Sequence, residues 1–201
     1  PEVIERELCE YAEADFIQVP GSFARESFVR RGVPADKLLV APYGVQLAHY
    51  SPAPRPPATF RVLYCGAVSA QKGVHYLLEA CAAIDVELWL VGPVLAELAP
   101  LVARHRSPRL RVFGRQPGSA LPDLYRRCSA FCLPSIQDGM GLVLLQAMAS
   151  GLPIIATGHT GAPDLIEPGR EGFVVPIRDA AAIARALLLL RDDPQRCQAM
   201  G

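Results

Sequence analysis

A loop with one carboxylate joins a predicted strand to a predicted helix near the middle of the chain. Residues 134–157 read PSIQDGMGLVLLQAMASGLPIIAT, and Asp138 lies there between small and flexible residues. We expect a helix over 142–150, because Gly151 follows at the position where a helix C-terminus favours glycine. The first N–H groups of this helix, from Gly141 onward, are free to face an anion, which the helix dipole favours. In an α/β sheet, ligands bind at such strand ends.

Two polar side chains of this region could bind a ligand, and each also has an ordinary structural interpretation. Asp138 can accept hydrogen bonds from sugar hydroxyls, or it forms a simple Asp-Gly turn. Gln146 lies eight residues later on the same helix. If it is buried, it needs a polar partner, which a ribose diol would supply, and otherwise it is a solvated glutamine.

Two further loops follow apolar strands. Gly66 ends one strand, and Lys72 opens a helix six residues later. The glycine permits a close backbone approach and the lysine provides a point charge for a phosphate, although a turn glycine and a solvated lysine explain the same pattern. Gly114 and Arg115 end another strand. They form a tight strand-to-helix turn, or their backbone or guanidinium group contacts the flat base of a ligand. Neither the phosphate-binding G-x-x-x-x-G-K-[ST] spacing nor the dinucleotide-binding G-x-G-x-x-G is present.

Composition excludes several classes of protein. The 201 residues include 20 basic and 20 acidic side chains, so no net charge indicates nucleic acid or an acidic membrane surface. No apolar run reaches the ~18 residues of a membrane span. The six cysteines form no C-x-x-C pair and the histidines complete no metal set, so we expect free thiols, no metal and a cytoplasmic location. The chain begins with a proline, which indicates a piece of a longer protein.

Strand and helix patterns alternate along the whole chain, and the strands read as continuous apolar runs. This pattern predicts an α/β fold with a doubly wound, Rossmann-like parallel sheet covered on both faces. We expect Ser22 and Asp179 to cap helices, and apolar anchors in the proline-rich run 42–59 at Tyr43, Val45, Leu47 and Tyr50. Residues 1–59 are predicted to be an inter-domain entry segment and linker, and 60–201 a ligand-binding domain. Helices are predicted over 2–14, 22–31, 74–84, 94–105, 121–127, 142–150, 180–191 and 194–200.

The 134–157 stretch resembles the signature of group 1 (family 4) retaining glycosyltransferases of the GT-B fold, PS-x-x-E-G-F-G, E-A-M-A and G-x-P-V-I. The resemblance extends to VPGSFARESFVRRGVPADKLLVAPYGV, YCGAVSAQKGVHYLLEA and GAPDLIEPGREGFVVPIRD, so nearly the whole chain is covered. It implies the C-terminal half of a GT-B enzyme, which binds a nucleotide-diphosphate sugar as donor substrate and needs no further cofactor. The acceptor would bind to an N-terminal domain outside this chain, and the full-length protein could contact a membrane peripherally.

The resemblance also implies roles by position. Lys72 would face the diphosphate, with Gly66 allowing its close approach, and Arg115 would lie near the base. Asp138 would contact the sugar, Gln146 would hold the ribose, and the backbone of the intervening loop would donate to sugar and phosphate. The implied donor-binding residues are Gly66, Lys72, Arg115, Asp138, Gly139, Met140, Gly141, Leu142 and Gln146.

Three positions depart from the family pattern. Ala67 replaces an arginine that helps to neutralise the diphosphate, and Asp138 and Gln146 replace glutamates. One lost charge-assisted contact costs about 1.5–3 kcal/mol. We therefore expect weak donor affinity, unless Arg115 or a residue outside this chain compensates. Because the acceptor half is missing, we expect the isolated chain to be inactive in transfer, and we name no catalytic residue. A catalytically silent binding module with the same fold is the first alternative. An unrelated nucleotide-binding dehydrogenase or epimerase is the second, although no G-x-G-x-x-G or Tyr-x-x-x-Lys pattern supports it.

Overall fold

Six parallel strands form the main sheet of the computed structural model, which describes residues 2–53 and 58–201. A second sheet has two parallel strands near the beginning of the chain. The strands are β1 (Ile17–Val19), β2 (Leu38–Val40), β3 (Arg61–Cys65), β4 (Glu87–Val91), β5 (Leu110–Gly114), β6 (Ala130–Leu133), β7 (Ile154–Thr157) and β8 (Gly172–Val175).

Helices connect these strands in the alternation that the sequence predicts. They are α1 (Glu2–Glu13), α2 (Ser22–Val29), α3 (Val74–Ile84), α4 (Ala99–Arg104), α5 (Leu121–Arg126), α6 (Leu142–Ala149), α7 (Ala162–Leu165), α8 (Ala180–Asp192) and α9 (Pro194–Met200), with short 3-10 turns at Ala35–Lys37 and Gly118–Ala120. Within the described residues no helix is long and apolar enough to cross a membrane.

The strand order of the main sheet is β5-β4-β3-β6-β7-β8. Consecutive residues of β6 and β7 are all buried, so both faces of the sheet are covered, and the predicted doubly wound α/β fold is confirmed. The expectation of a continuous apolar run fails at β5, because this strand lies at the edge of the sheet, where Arg111 and Val112 are exposed. The order reverses between β3 and β6, and a crevice at such a reversal, outside the carboxyl ends of the strands, is where ligands bind.

Two helix predictions need correction. The helix predicted over 94–105 begins only at Ala99, because Val94 forms a parallel bridge with Val68 and the N–H of Leu95 donates to the Val68 carbonyl oxygen at 3.1 Å. These bonds extend the sheet edge before the helix starts. The short helix α7 was not predicted, since GAPDL has neither the length nor the periodicity of an ordinary helix.

One of the two predicted helix caps is confirmed, and the other is wrong. Asp179 caps α8 as predicted, and its Oδ1 accepts the N–H of Ala182 at 2.7 Å. Ser22 is not an N-cap, because it is the first residue of α2 and Gly21 occupies the N-cap position without a side-chain bond. The expected stop at Gly151 is confirmed, since this residue has φ +67° directly after α6 and its C-cap residue.

The proline-rich run between β2 and β3 has no regular structure among its described residues, and its residues 54–57 lie outside them. Tyr50 is an apolar anchor as predicted, because its ring packs edge-on against Tyr125 at 5.7 Å. Tyr43 and Leu47 are exposed, so the prediction is wrong for these two side chains. The boundary between 1–59 and 60–201 stays a prediction, although the main sheet starts at Arg61.

Candidate functional site

An ion pair at the β3–β6 reversal brings together two of the predicted site residues. Nζ of Lys72 lies 2.6 Å from Oδ2 of Asp138, and both side chains are largely shielded, at 27% and 13% exposure. Lys72 follows β3 and Asp138 follows β6, so these neighbouring parallel strands place the two loops at one edge. The sequence did not predict this contact, because the residues are 66 positions apart.

The backbone crosses itself closely where these loops meet. Gly73 has φ +64°, and a Cβ atom there would overlap the carbonyl oxygen of Pro134. The N–H of Ile136 donates to the Gln71 carbonyl oxygen at 2.9 Å. These contacts hold the loop after β3 against the loop after β6, and they require glycine at position 73.

Helix α6 begins beside the ion pair. Gly141 is its N-cap with extended backbone, and its carbonyl oxygen accepts the N–H of Leu144 at 2.9 Å. Within the described part of the chain, the N–H groups of Gly141, Leu142 and Val143 have no hydrogen-bond acceptor. The arrangement can therefore bind an anion next to the Lys72 ammonium group.

Gln146 lies half-buried on α6, and its side-chain partner is a tyrosine. The hydroxyl of Tyr125 lies 3.0 Å from Oε1 of Gln146 and 3.3 Å from the Val143 carbonyl oxygen. Burial raises the pKa of Tyr125 well above its ordinary value, so the phenol stays neutral and donates. Oε1 of Gln146 thus accepts one bond inside the protein, and the amide NH₂ group is available as a donor to a ligand. Sequence reasoning missed Tyr125, since nothing in its pattern distinguishes it from an ordinary core aromatic.

A cavity of about 630 Å³ adjoins α6. This 630 Å³ cavity lies between the linker, the start of α5 and α6. Its volume is that of a site for a small organic ligand. It is lined by Gly44, Val45, Gln46, His49, Tyr50, Gly118, Ser119, Pro122, Leu142 and Gln146.

Three further predicted residues belong neither to the ion pair nor to the cavity lining: Gly66, Arg115 and Met140. Gly66 and Arg115 follow β3 and β5, so they share the sheet edge with Lys72, but neither lines the cavity beside Gln146. Gly66 has φ +145°, which requires glycine, and Arg115 is exposed. Met140 is only 6% exposed, so its backbone, not its side chain, is what it can offer a ligand.

A parallel, doubly wound sheet with a cation, a carboxylate and a helix N-terminus at its reversal point belongs to the class of Rossmann-like ligand-binding domains. Comparison with known proteins gives the family. The family model described as glycosyl transferases group 1 matches residues 59–193, and the chain belongs to this family.

Curated relatives and a solved structure agree with this assignment. The chain is 32% identical to a D-inositol 3-phosphate glycosyltransferase of Pseudarthrobacter chlorophenolicus, over 100% of this chain and 54% of that protein. It is 29% identical to the putative colanic acid biosynthesis glycosyltransferase of Escherichia coli K12, over 79% of this chain and 43% of that protein. Sucrose-phosphate synthase of Thermosynechococcus elongatus superposes with a TM-score of 0.86 at 26% identity, over 98% of this chain and 54% of that chain. The chain thus spans about half the length of the relatives it matches.

Proposed function

We propose that this chain is the donor half of a retaining glycosyltransferase and binds a nucleotide-diphosphate sugar at the β3–β6 reversal. The observation that carries the proposal is the Lys72–Asp138 pair beside the free N–H groups of α6. A diphosphate needs a cation and N–H donors, and a sugar needs a carboxylate that accepts from its hydroxyls. Membership of the group 1 family supports the same assignment.

Within this proposal the site acts on the leaving group. Transfer breaks the bond between the anomeric carbon and the diphosphate oxygen and forms a bond from that carbon to the acceptor. The diphosphate leaves with the bonding electrons, so negative charge grows on its oxygen. Lys72 and the N–H groups at the start of α6 stabilise this charge where it develops. When the diphosphate draws the Lys72 ammonium group away, Asp138 loses its present partner. It is then free to accept hydrogen bonds from the donor sugar.

The Gln146 amide and the cavity beside it are assigned to the nucleoside. Because Tyr125 occupies Oε1, the amide would donate to a ribose oxygen, whereas a glutamate at this position would accept from the ribose hydroxyl. Leu142 lines the same cavity and supplies an apolar wall. Gly66 and Arg115 stay candidates for the diphosphate and the base.

The first experiment is calorimetric titration and thermal unfolding of the chain with UDP, GDP and their sugars. A ligand that binds only the folded state stabilises it by about 2.7 kcal/mol at a hundredfold excess over its dissociation constant. We expect one nucleotide diphosphate and its sugars to bind. Absence of binding by every member of the panel would contradict the proposal.

Variants of the ion pair then separate the two roles. We expect Lys72→Ala to weaken the nucleotide diphosphate and its sugar alike, by about ten- to a hundredfold, because a charge-assisted contact is lost. Asp138→Ala should weaken only the sugar nucleotide. Arg109→Ala is the control, since it removes a 2.6 Å ion pair with Asp85 at the opposite edge of the sheet. Equal losses of both ligands in Asp138→Ala would place this residue away from the sugar.

A catalytically silent binding module is the second candidate, and one observation favours it. Lys72 is already neutralised by Asp138, and Ala67 stands where the family pattern has a further cation. Such a module would bind the bare nucleotide and its sugar equally well, and the full-length protein would transfer no sugar from the ligand that binds. Product formation by the full-length protein distinguishes the two.

The acceptor is assigned to the half of the relatives that this chain does not span. The exposed apolar side chains of α1 and β2, among them Ile4, Leu8 and Leu39, support a neighbouring domain there. The cytoplasmic location also stays a proposal. It is supported by the six cysteines, all of which are free, because thiols stay unpaired in a reducing compartment.

A further inference from the structure

A carboxylate far along the chain caps the helix that follows the first strand. Oδ2 of Asp164 accepts the N–H of Ser22 at 2.6 Å, across 142 residues of sequence. Ser22 is the first residue of α2, and its N-cap residue, Gly21, has no side chain to satisfy this group. Asp164 therefore does for α2 what an N-cap side chain does, and its negative charge lies at the positive end of the helix dipole.

Gly21 makes the close approach possible. A Cβ atom at this residue would lie 2.5 Å from Oδ2 of Asp164 and 3.1 Å from Cε of Met140. The backbone at Gly21 is extended, so any residue could adopt it, and the requirement for glycine comes from space alone. The cap and the methionine thus meet at one point.

Met140 links this point to the donor loop, which we define as residues 138–142. Its side chain is 6% exposed and also packs on Gly161, where a Cβ atom would lie 2.9 Å from it. On the other side, Cγ of Pro20 lies 3.6 Å from the Cβ position of Gly139. The turn before α2 and the turn before α7 therefore hold the donor loop between them.

His159 completes the contact. Its carbonyl oxygen accepts the N–H of Asp138 at 2.9 Å, and its Nδ1–H donates to the Ile136 carbonyl oxygen at 3.1 Å. The ring of Phe23, the second residue of α2, stacks on the imidazole at 5.1 Å. His159 therefore connects α2, through the stacked ring of Phe23, to the backbone that carries Asp138.

We propose that Asp164 is a positioning residue for the donor loop. By capping α2, the Asp164 carboxylate keeps the Pro20–Phe23 turn packed against Met140 and His159. This packing holds the N–H groups of the donor loop in an orientation that faces the ligand. Asp164 itself touches no ligand. The assignment of a ligand to the loop rests on the proposed function, but the ordering of the loop by Asp164 does not.

The test compares two aspartates that make the same kind of bond. Asp164→Ala removes the cap of α2, and Asp179→Ala removes the cap of α8, whose Ala182 N–H is 2.7 Å from the carboxylate. Hydrogen exchange of the Asp138 amide, measured by NMR without ligand, reports the docking of the donor loop. Calorimetric titration with UDP and GDP reports its consequence for binding.

We expect exchange at Asp138 to accelerate about fivefold in Asp164→Ala, the factor that corresponds to a lost cap of ordinary strength, and not in Asp179→Ala. Affinity for the nucleotide that binds should fall about fivefold in Asp164→Ala alone, for the same loss of order. Asp164→Asn keeps an oxygen acceptor without the charge and should lie between Asp164→Ala and the unchanged protein in both measurements. If Asp164→Ala does not fold, exchange and affinity are compared between Asp164→Asn and the unchanged protein.

Two outcomes would overturn the proposal. Exchange at Asp138 that is unchanged in Asp164→Ala, or equally fast in Asp179→Ala, would mean that the cap stabilises α2 only. Accelerated exchange with unchanged affinity would mean that loop order does not control the ligand contacts. If the unchanged protein binds no nucleotide, the proposed function fails, while the exchange measurement still decides whether Asp164 orders the loop.

Discussion

Tyr125 determines what Gln146 can offer a ligand. The buried phenol donates to the amide oxygen, so the side chain is held in place and presents its NH₂ group. A glutamate there would present a carboxylate instead. The substitution of glutamine for the glutamate of the family pattern therefore adds an N–H donor at a point where a carboxylate could only accept.

Removal of the Tyr125 hydroxyl should loosen this arrangement. In Tyr125→Phe we expect the free energy of unfolding to fall by about 1 kcal/mol, the ordinary contribution of one hydrogen bond, and nucleotide affinity to fall several-fold. Ser150→Ala is the control, because it removes a 2.8 Å bond to the main-chain oxygen of Gln146 and leaves the amide held. Urea unfolding and calorimetric titration measure the two effects. Equal loss of affinity in both variants would contradict this role of the phenol.

Gly73 is the residue on which the approach of the two site loops depends. In Gly73→Ala we expect a larger loss of stability than the ~1–2 kcal/mol of left-handed backbone strain, because the new Cβ overlaps the Pro134 carbonyl oxygen and the loops must separate. Gly32→Ala isolates the strain, since Gly32 has φ +87° and nothing within 4 Å. Chemical unfolding of both variants gives the difference. Equal losses of stability in the two variants would show that the two loops can separate without a further cost in free energy.

At the scale of elements, the edge of the sheet opposite the candidate site carries a partly buried carboxylate. Glu87 at the start of β4 accepts bonds from Trp89 Nε1 at 2.7 Å and Arg61 Nε at 3.0 Å, and Arg111 lies 3.3 Å away. Burial alone would raise the pKa of Glu87, but the bonds from Trp89 and Arg61 outweigh it and lower the pKa below its ordinary value of 4.5. The carboxylate thereby joins β3, β4 and β5.

This shift predicts how stability depends on pH. A lowered pKa in the folded state contributes stability that is present above the unfolded value of 4.5 and is lost as pH falls through the lowered folded value. Glu87→Gln should cost about 1.5–3 kcal/mol near neutral pH and reduce the acid dependence. Glu79→Gln, an exposed position on α3, serves as the control. Urea unfolding across the acid range measures both, and an unchanged acid dependence in Glu87→Gln would contradict the prediction.

At the scale of the molecule, the region before β3 is incompletely covered. Side chains of α1 and its following turn are exposed, with Ile4 at 63%, Leu8 at 57% and Phe16 at 63%. Helix α1 is held by Lys37, whose Nζ lies 3.1 and 2.8 Å from the carbonyl oxygens of Ala12 and Ala14. The helix is thus fixed while its apolar side chains stay exposed, and exposed apolar patches of this kind favour association.

The open face predicts self-association of the chain when it is studied by itself. Exposed apolar surface associates because burial is worth about 25 cal/mol per Å². We expect Leu8→Glu to shift the chain toward monomer in sedimentation equilibrium. Leu189→Glu, at a 46% exposed position on α8, should leave association unchanged. An equal effect of the two variants would assign association to general hydrophobicity.

The sequence alone determined the elements and the family. Alternating strand and helix patterns, continuous apolar strands and the PSIQDGMG stretch predicted a doubly wound sheet and a group 1 glycosyltransferase, and both are confirmed. Helix ends such as Gly151 and the Asp179 cap were predictable because their chemistry acts within four residues. The start of α4 was not, because Val94 forms a bridge with Val68, which lies in the loop after β3 and is distant in sequence.

Only the tertiary structure decided which side chains meet. The partners of Lys72, Gln146 and Ser22 lie 66, 21 and 142 residues away. A local pattern reports which face of an element is apolar, whereas these contacts depend on strand order and on how closely glycines let the loops approach. The sequence could therefore predict which residues belong to the candidate site, but not which of them are paired. The free energy that selects a pairing comes from packing the whole sheet.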